Sequence, residues 1–452
     1  MSKFLFSEFE GTTPNAWKQK IQVDLKGADY NDTLLWQTNE GITVKPFYTK
    51  EDKTNYTIKL PEEDFKICQT ILVSEEKEAN TFAINSLKRG ATAIQFLAKK
   101  KFDYKLLLNE IDYKSTLIYF KFNFLDADFI TEISKYINSK KCFFQIDILG
   151  NLAEDGNWFV SLIEDHKKLE KIVESVENSI SISGDLYENA GANMVQQLAY
   201  TLAHANEYLN HFGAENAGKI HFQFSVRGNY FHEIAKLRAL RLLWESLLNE
   251  YNVKNAEMHL FVQPSIRNKT LYDYNVNMLR TTSECMSAVL GSANTISNIS
   301  YDEIYSNSNE FGERIARNQL LILQQESGFK EAQQIAEGSY YIDSLTEQLA
   351  EKALVIFKQI EKGGGFLKQL KEGNIQRKLK ENAVREEEQF FKKELILLGT
   401  NLQSNKENLM KNNLELDPFV KQRNIKTLFP PIIRKRLSET IEKQRLKEED
   451  SL

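Results

Sequence analysis

Short β-prone runs alternate with helical stretches from about residue 64 onward. The runs are rich in Ile, Val, Phe and Thr, and most of the segments between them carry apolar residues at helical spacing. Eight strands joined in this way predict an α/β fold, a (β/α)8 barrel of the TIM type, because each connection is then a right-handed crossover. The predicted strands cover residues 66–73, 92–96, 116–122, 142–148, 179–183, 221–226, 257–262 and 294–299.

The same spacing predicts the longer helices and divides the chain into three parts. Residues 1–63 form an N-terminal arm, 64–345 the barrel, and 346–452 a helical C-terminal extension. The charged run from Arg385 to Glu388 is typical of a solvated helix face. The segment after Phe429 is basic and then acidic, and it predicts a surface helix. The main predicted helices cover residues 191–209, 229–249, 279–290, 310–328, 344–362 and 366–398, the last one interrupted near Gly373.

The arm carries an amphipathic helix over residues 17–25, followed by extended pieces at 34–36 and 41–48 with several aromatic residues. Exposed Trp and Phe side chains need a surface to cover them. The sequence leaves two alternatives for the surface that covers them, the chain's own barrel and a partner protein.

Two predicted strands place polar residues on one face and apolar residues on the other. Ser179, Ser181 and Ser183 alternate with isoleucines, and the next strand repeats the pattern with His221, Gln223 and Ser225. The apolar face of a barrel strand meets the outer helices, so the polar sets are expected to point inward. A polar lumen indicates either a threaded ligand or a self-satisfied hydrogen-bond network, and the residues alone favour the network.

Composition narrows the class of protein. The 452 residues are 42% hydrophobic and 27% charged, which is typical of a globular protein that buries a sizeable core. A net charge of −5 argues against a nucleic-acid or anionic-membrane surface. Three separated cysteines and the lack of a signal peptide or an 18-residue apolar run predict a cytoplasmic protein without a membrane span.

Candidate chemistry lies just after the strand at 179–183, because catalytic residues of such barrels follow the carboxyl ends of strands. Asp185 beside Glu188 is a possible acid–base pair, although Glu188 also suits the start of a helix. His221 is expected to be a barrel-core histidine, and Cys68 and Cys285 small core residues. The glycines at 363–365 lack the Lys-Ser/Thr of a phosphate loop.

Ten stretches together resemble the methylmalonyl-CoA mutase family, in the small-subunit form that keeps the barrel without a cobalamin-binding domain. Any one of them is a weak signal, but they follow the family's order over most of the chain. They are DLKGADY (24–30), EGITVKPFY (40–48), SISG (181–184), AGA (190–192), FHEIAKLRA (231–239), NMLRTT (277–282), RIARN (314–318), QQESG (324–328), GSYYI (338–342) and LGTN (398–401).

The resemblance implies a radical interconversion of succinyl-CoA and methylmalonyl-CoA in which adenosylcobalamin supplies the chemistry. Competent members need a cobalt-coordinating histidine in an Asp-x-His-x-x-Gly motif, and none of the six histidines here stands in that pattern. The sequence also stops soon after Phe429, about where the family's linker to the cobalamin domain begins, so we expect no such domain.

The positions that match the family's active-site groups carry other residues. Asp185 and Leu186 stand where competent members have Tyr-His, whose histidine polarises the thioester carbonyl, and leucine cannot donate a hydrogen bond. Cys68 and Thr70 stand where those members have the arginine and tyrosine of Arg-Gln-Tyr. Their substrate-binding Gln-Asn-Asp and Arg-Asn-Thr motifs have no counterpart between residues 143 and 178. The resemblance therefore implies no catalytic, cofactor-binding or metal-binding residues in this chain.

The resemblance implies the non-catalytic small subunit of a heterodimeric mutase, with adenosylcobalamin in the large subunit, a 1:1 complex, and the arm wrapped around the partner. Whether this barrel still binds acyl-CoA stays open. One alternative is an active acyl-CoA mutase barrel that uses a separately encoded cobalamin-binding chain, which should keep the aromatic-His pair at 185–186. Another is an unrelated barrel enzyme with Asp185 and Glu188 as acid and base.

Overall fold

Eight parallel strands form the centre of the computed structural model, which describes residues 6–54, 56–254, 256–331, 334–420 and 425–449. Each strand lies within a few residues of its predicted position, which confirms the periodicity argument. They are β1 (Lys66–Val73), β2 (Ala93–Ala98), β3 (Leu117–Phe122), β4 (Cys142–Phe144), β5 (Ile180–Ser183), β6 (Ile220–Val226), β7 (His259–Pro264) and β8 (Thr295–Ile296).

The sheet closes on itself. Its order runs from β4 through β3, β2, β1, β8, β7 and β6 to β5, with every pair parallel. Backbone hydrogen bonds join the two ends, since the Phe144 amide donates to the Asn178 carbonyl at 2.9 Å and the Ser181 amide to the Ile146 carbonyl at 2.8 Å. The fold is therefore a (β/α)8 barrel, as predicted.

β4 ends after three residues, earlier than predicted, because Asp147 begins the next helix. The Asp147 side chain accepts from the Gly150 amide at 2.7 Å and so caps that helix. Its second oxygen accepts from the Ser183 amide at 2.8 Å, which fixes the end of β5 to the same point.

Helices surround the barrel and continue into the extension. The helix that follows β5 is short. The next one begins at Met194 and is capped by Asn193, whose side chain and that of Gln196 form a reciprocal capping pair. The helices are α1 (Pro14–Asp24), α2 (Tyr30–Leu34), α3 (Glu76–Lys88), α4 (Tyr104–Leu107), α5 (Ala127–Ile137), α6 (Ile148–Asp155), α7 (Leu162–Ser175), α8 (Gly184–Asn189), α9 (Met194–Phe212), α10 (Tyr230–Glu250), α11 (Val276–Leu290), α12 (Glu310–Gln325), α13 (Tyr340–Lys362), α14 (Phe366–Lys371), α15 (Asn374–Phe391) and α16 (Glu439–Glu449).

The extension packs tightly on the barrel. α13 contacts both α9 and α10. α15 approaches the turn at Gly191 so closely that a Cβ atom there would lie 2.6 Å from that of Ala383. Gly191 also has a φ of +101°, which other residues rarely adopt. The expectation of a solvated face at residues 385–388 is wrong for Glu386, which is buried, although Arg385 and Glu388 are exposed.

The arm divides into an anchored part and an exposed part. Ile42 and Ile58 are buried in the molecule, and the Tyr56 hydroxyl donates to the Asp343 carbonyl at 2.7 Å. α1, by contrast, buries none of its residues, and Val23 is 72% exposed. The arm is therefore anchored on the chain's own fold at Ile42, Tyr56 and Ile58, whereas α1 leaves apolar side chains exposed.

None of the described helices combines the length and the apolar composition needed to cross a bilayer.

Candidate functional site

The carboxyl ends of the strands open into the mouth of the barrel, where the sequence predicts the candidate residues. α8 begins directly after β5, so the chain turns at Gly184. A Cβ atom at Gly184 would lie 2.6 Å from both Phe224 and Thr201, which leaves room only for glycine. This tight turn places Asp185 at the mouth of the barrel. Its side chain lines a cleft of about 300 Å³ there.

Asp185 is neutralised by an arginine from the end of the chain. Arg434 Nη1 donates to Asp185 Oδ2 at 2.6 Å, and Arg434 Nε donates to Glu154 Oε1 at 2.6 Å. Burial acts to raise the pKa of Asp185, but Arg434 and then Lys121 outweigh it and lower that pKa. The carboxylate therefore stays ionised and paired with its own chain, which is unsuitable for a general acid.

Leu186 does not line the mouth. Its side chain is fully buried in the main hydrophobic core. It offers no hydrogen-bond donor to a ligand in the barrel, as its residue type already implied.

Thr70 and Cys68 lie at two depths along β1. Thr70 lines the same cleft as Asp185 and is within 2.8 Å of Gln95 and of Ser297. Cys68 is buried one layer deeper among aromatic side chains, and burial raises the pKa of its thiol well above the usual value. The structure therefore brings Thr70 and Asp185 together and keeps Cys68 and Leu186 away from the mouth.

Aromatic rings fill the lower lumen. Phe143 stacks on Tyr119 with ring centroids 5.0 Å apart and on His259 at 4.2 Å, and Phe261 lies 4.9 Å from Tyr119. Tyr119 is tied in place by hydrogen bonds of 2.7 Å to His259 and to Thr295. This layer occupies the barrel axis below the mouth.

The polar side chains of the lumen bond mainly to one another. Gln223 donates to Ser181 at 2.8 Å and accepts from Lys121 at 3.2 Å. Gln95 donates to Gln145 at 2.6 Å. This is the hydrogen-bond network that the sequence favoured over a ligand tunnel.

His221 is an exception within the network. It is buried against Phe143, with ring centroids 5.4 Å apart, and among the described residues neither ring nitrogen has a hydrogen-bond partner. Burial lowers its pKa to about 3, so the imidazole is neutral. It is a core histidine, as expected.

Glu188 faces a separate set of charges. Its carboxylate pairs with Arg227 and accepts from the Ser225 hydroxyl at 2.7 Å. Each of the two candidate carboxylates thus has its own cationic partner, Arg434 for Asp185 and Arg227 for Glu188. This geometry does not favour an acid–base pair, because each carboxylate is engaged by a different arginine and not by the other carboxylate.

The positions of Arg434 and Glu154 at the mouth were not predicted from the sequence. Arg434 comes 249 positions after Asp185. The available signal was the Pro430-Pro431 pair, which favours an extended segment and disfavours the surface helix predicted for this region. The helix that does form, α16, begins only at Glu439.

These features define a class of protein: a closed (β/α)8 barrel with an aromatic-filled lumen, a mouth covered by its own C-terminal segment, and an exposed N-terminal helix. The family model of methylmalonyl-CoA mutase matches residues 131–448. The chain belongs to the methylmalonyl-CoA mutase family.

Three relatives illustrate the similarity. A methylmalonyl-CoA mutase small subunit from Porphyromonas gingivalis is 31% identical over 88% of this chain and 70% of its own length. A methylmalonyl-CoA mutase from Cereibacter sphaeroides is 29% identical over 86% of this chain and 64% of its own. A methylmalonyl-CoA mutase large subunit from Propionibacterium freudenreichii subsp. shermanii is 34% identical over 50% of this chain and 32% of its own. The chain thus spans only part of each relative.

Proposed function

We propose that this chain is the non-catalytic small subunit of a heterodimeric, adenosylcobalamin-dependent methylmalonyl-CoA mutase. In that complex the large subunit holds the cobalamin and interconverts succinyl-CoA and methylmalonyl-CoA. This barrel carries no catalytic residues, binds no cofactor and stabilises its partner.

The state of the barrel mouth is the observation that carries the proposal. A competent mouth must offer donors to a thioester carbonyl and to a carboxylate. Here Asp185 presents a negative charge that Arg434 of the same chain already neutralises, and Leu186 lies in the core. The mouth therefore lacks free donors at the two positions where the family resemblance places them.

The histidines present do not fit a cobalt ligand at the mouth. His204 is buried, and its ring nitrogens lie 2.9 Å from Asp147 and from Tyr187. His232 is buried against Trp36. His166 and His211 contact each other on α7 and α9, outside the barrel. We therefore assign no step of the reaction to this chain.

The partner assignment rests on the arm and on the relatives. α1 leaves two apolar side chains largely exposed, Val23 at 72% and Trp17 at 53%. Relatives carry the names small subunit and large subunit, which supports a subunit partnership. A large subunit that covers α1 would bury this surface.

The test measures turnover and association with full-length chains. We expect the isolated chain, given adenosylcobalamin and succinyl-CoA, to form no methylmalonyl-CoA. When both chains are produced together, we expect this chain to co-purify 1:1 with the cognate large subunit. Turnover by the isolated chain, at any rate above the cofactor alone, would contradict the proposal.

A second experiment asks whether two substitutions restore activity. The double variant Asp185→Tyr with Leu186→His recreates the residue types of competent members. We expect it to remain inactive, because the groups at Cys68 and Thr70 and a cobalt ligand are still missing. The same assay on the active large subunit serves as the positive control.

A further inference from the structure

Residues 425–438 form a strap across the barrel mouth. Its backbone donates hydrogen bonds to both sides of the opening. The Leu428 and Ile432 amides donate to the carbonyls of Gly156 and Ala153 beside α6, at 3.0 and 2.8 Å. The Lys435 amide then donates to the Asn189 carbonyl at the end of α8, at 3.0 Å. The strap thus bridges the ends of two successive barrel units.

The barrel is shaped to receive the strap. A Cβ atom at Gly156 would lie 2.8 Å from the Phe429 carbonyl oxygen and 2.9 Å from Thr427, and Gly156 has a φ of +78°. Phe429 and Ile432 are buried in the main core. Both the space and the backbone conformation at Gly156 therefore match this path of the chain.

Arg434 is the point at which the strap enters the mouth. Its guanidinium binds Asp185 and Glu154 through different nitrogen atoms. The same side chain lines both the 300 Å³ cleft and a neighbouring cleft of about 560 Å³. Lys121 also lines both clefts, so the guanidinium stands between them beside a second cation.

We propose that the barrel mouth is a guanidinium-binding site that the chain fills itself, with Arg434 as the internal ligand that holds the strap over the opening. Asp185 and Glu154 are the acceptors, and two acceptors at an angle suit the planar fork of a guanidinium better than an ammonium. This inference rests on the proposed function, since it explains what Asp185 does in a barrel without catalysis.

Hydrogen exchange of the strap amides in the full chain tests the idea. In Arg434→Ala we expect the amides of Leu428, Ile432 and Lys435 to exchange at least about tenfold faster, because two carboxylates then lose their shared cation. Lys435→Ala is the matched control. Lys435 is also a strap cation, but it pairs with Glu387 at 2.6 Å, so its removal should leave exchange near the wild-type rate.

Chemical rescue separates a binding site from general destabilisation. Guanidinium chloride at about 20 mM, far below denaturing concentrations, should slow strap exchange in Arg434→Ala, and sodium chloride of equal ionic strength should not. Arg434→Lys, which keeps the charge without the fork, should show intermediate exchange.

Two outcomes would overturn the proposal: strap exchange in Arg434→Ala that matches Lys435→Ala, or equal effects of guanidinium and sodium. These measurements need no partner subunit, so they fail independently of the proposed function. We expect Arg434→Ala still to co-purify with the large subunit.

Discussion

At the scale of single residues, buried ion pairs join the extension to the barrel. Glu386 on α15 is the central case. It pairs with Arg227 and accepts from Arg267 Nε at 2.6 Å, and Arg267 itself is fully buried. Removing one member of such a group leaves buried charges uncompensated.

We therefore expect Glu386→Gln to lower the free energy of unfolding by about 3 kcal/mol at pH 7, because two arginines then lose their shared acceptor. Urea denaturation measures the change. Glu388→Gln, two positions along the same helix but exposed, should change it by less than about 0.5 kcal/mol. Equal effects of the two substitutions on the free energy of unfolding would show that the ion pairs of Glu386 do not stabilise the fold.

The pH dependence follows from the same carboxylate. Burial acts to raise the pKa of Glu386, but Arg227 and Arg267 outweigh it, and its folded pKa is lowered. Its contribution to stability is therefore fully present above the unfolded pKa of about 4.3 and is lost as the pH falls through the lower folded value. The stability difference between wild type and Glu386→Gln should shrink below about pH 4, as measured by urea denaturation at several pH values.

At the scale of elements, α1 is a helix that buries none of its side chains. Thr13 caps it, with its hydroxyl accepting from the Ala16 amide at 3.2 Å, and Pro14 occupies the first turn. Trp17 contacts Phe47 within the arm, with ring centroids 6.3 Å apart, but no residue of α1 is buried. A short helix with few tertiary contacts is marginal alone, so a partner surface would stabilise it.

We predict that Val23→Asp weakens binding to the large subunit at least tenfold, because it would place a charge in an apolar interface. The affinity can be measured by calorimetry with both full-length subunits. The melting temperature of the isolated chain should not change, since Val23 is 72% exposed.

Val355→Asp is the control for this prediction. Val355 is an exposed valine on α13, so the same substitution is made away from the arm. Equal affinities for the two variants would mean that α1 lies outside the interface.

At the scale of the whole molecule, the barrel is closed along its axis. The aromatic layer around Phe143 fills the lower lumen, and the strap covers the mouth. A pantetheine arm would have to displace both. We therefore predict that titration of CoA to about 1 mM into the isolated chain gives no saturable heat in calorimetry.

Phe143→Ala provides a comparison for the CoA titration, because it removes the ring that packs against Tyr119 and His259. Weak CoA binding by this variant alone would show that the aromatic layer blocks the lumen. Saturable binding of CoA by the wild-type chain would show instead that the lumen still admits the ligand.

The barrel itself was predictable because its signals are local. Apolar side chains recur every two residues in a strand and every three to four residues in a helix. Both patterns depend only on neighbours along the chain, so every barrel strand and most helices follow from the sequence. The same holds for the polar lumen, since Ser181 and Gln223 lie on the inward faces of adjacent strands and do bond to each other. Residue type alone also showed that Leu186 cannot polarise a carbonyl.

The closing of the barrel mouth was decided only by the tertiary structure. An extended strap has no periodic pattern, and its ion pair joins residues 249 positions apart. The burial of Glu386 likewise depends on two arginines from distant loops, Arg227 and Arg267. The charged residues next to it in the sequence predict a solvated helix face instead. Local sequence specifies which way a side chain points from its own element, whereas its charge partner depends on which other elements fold against it.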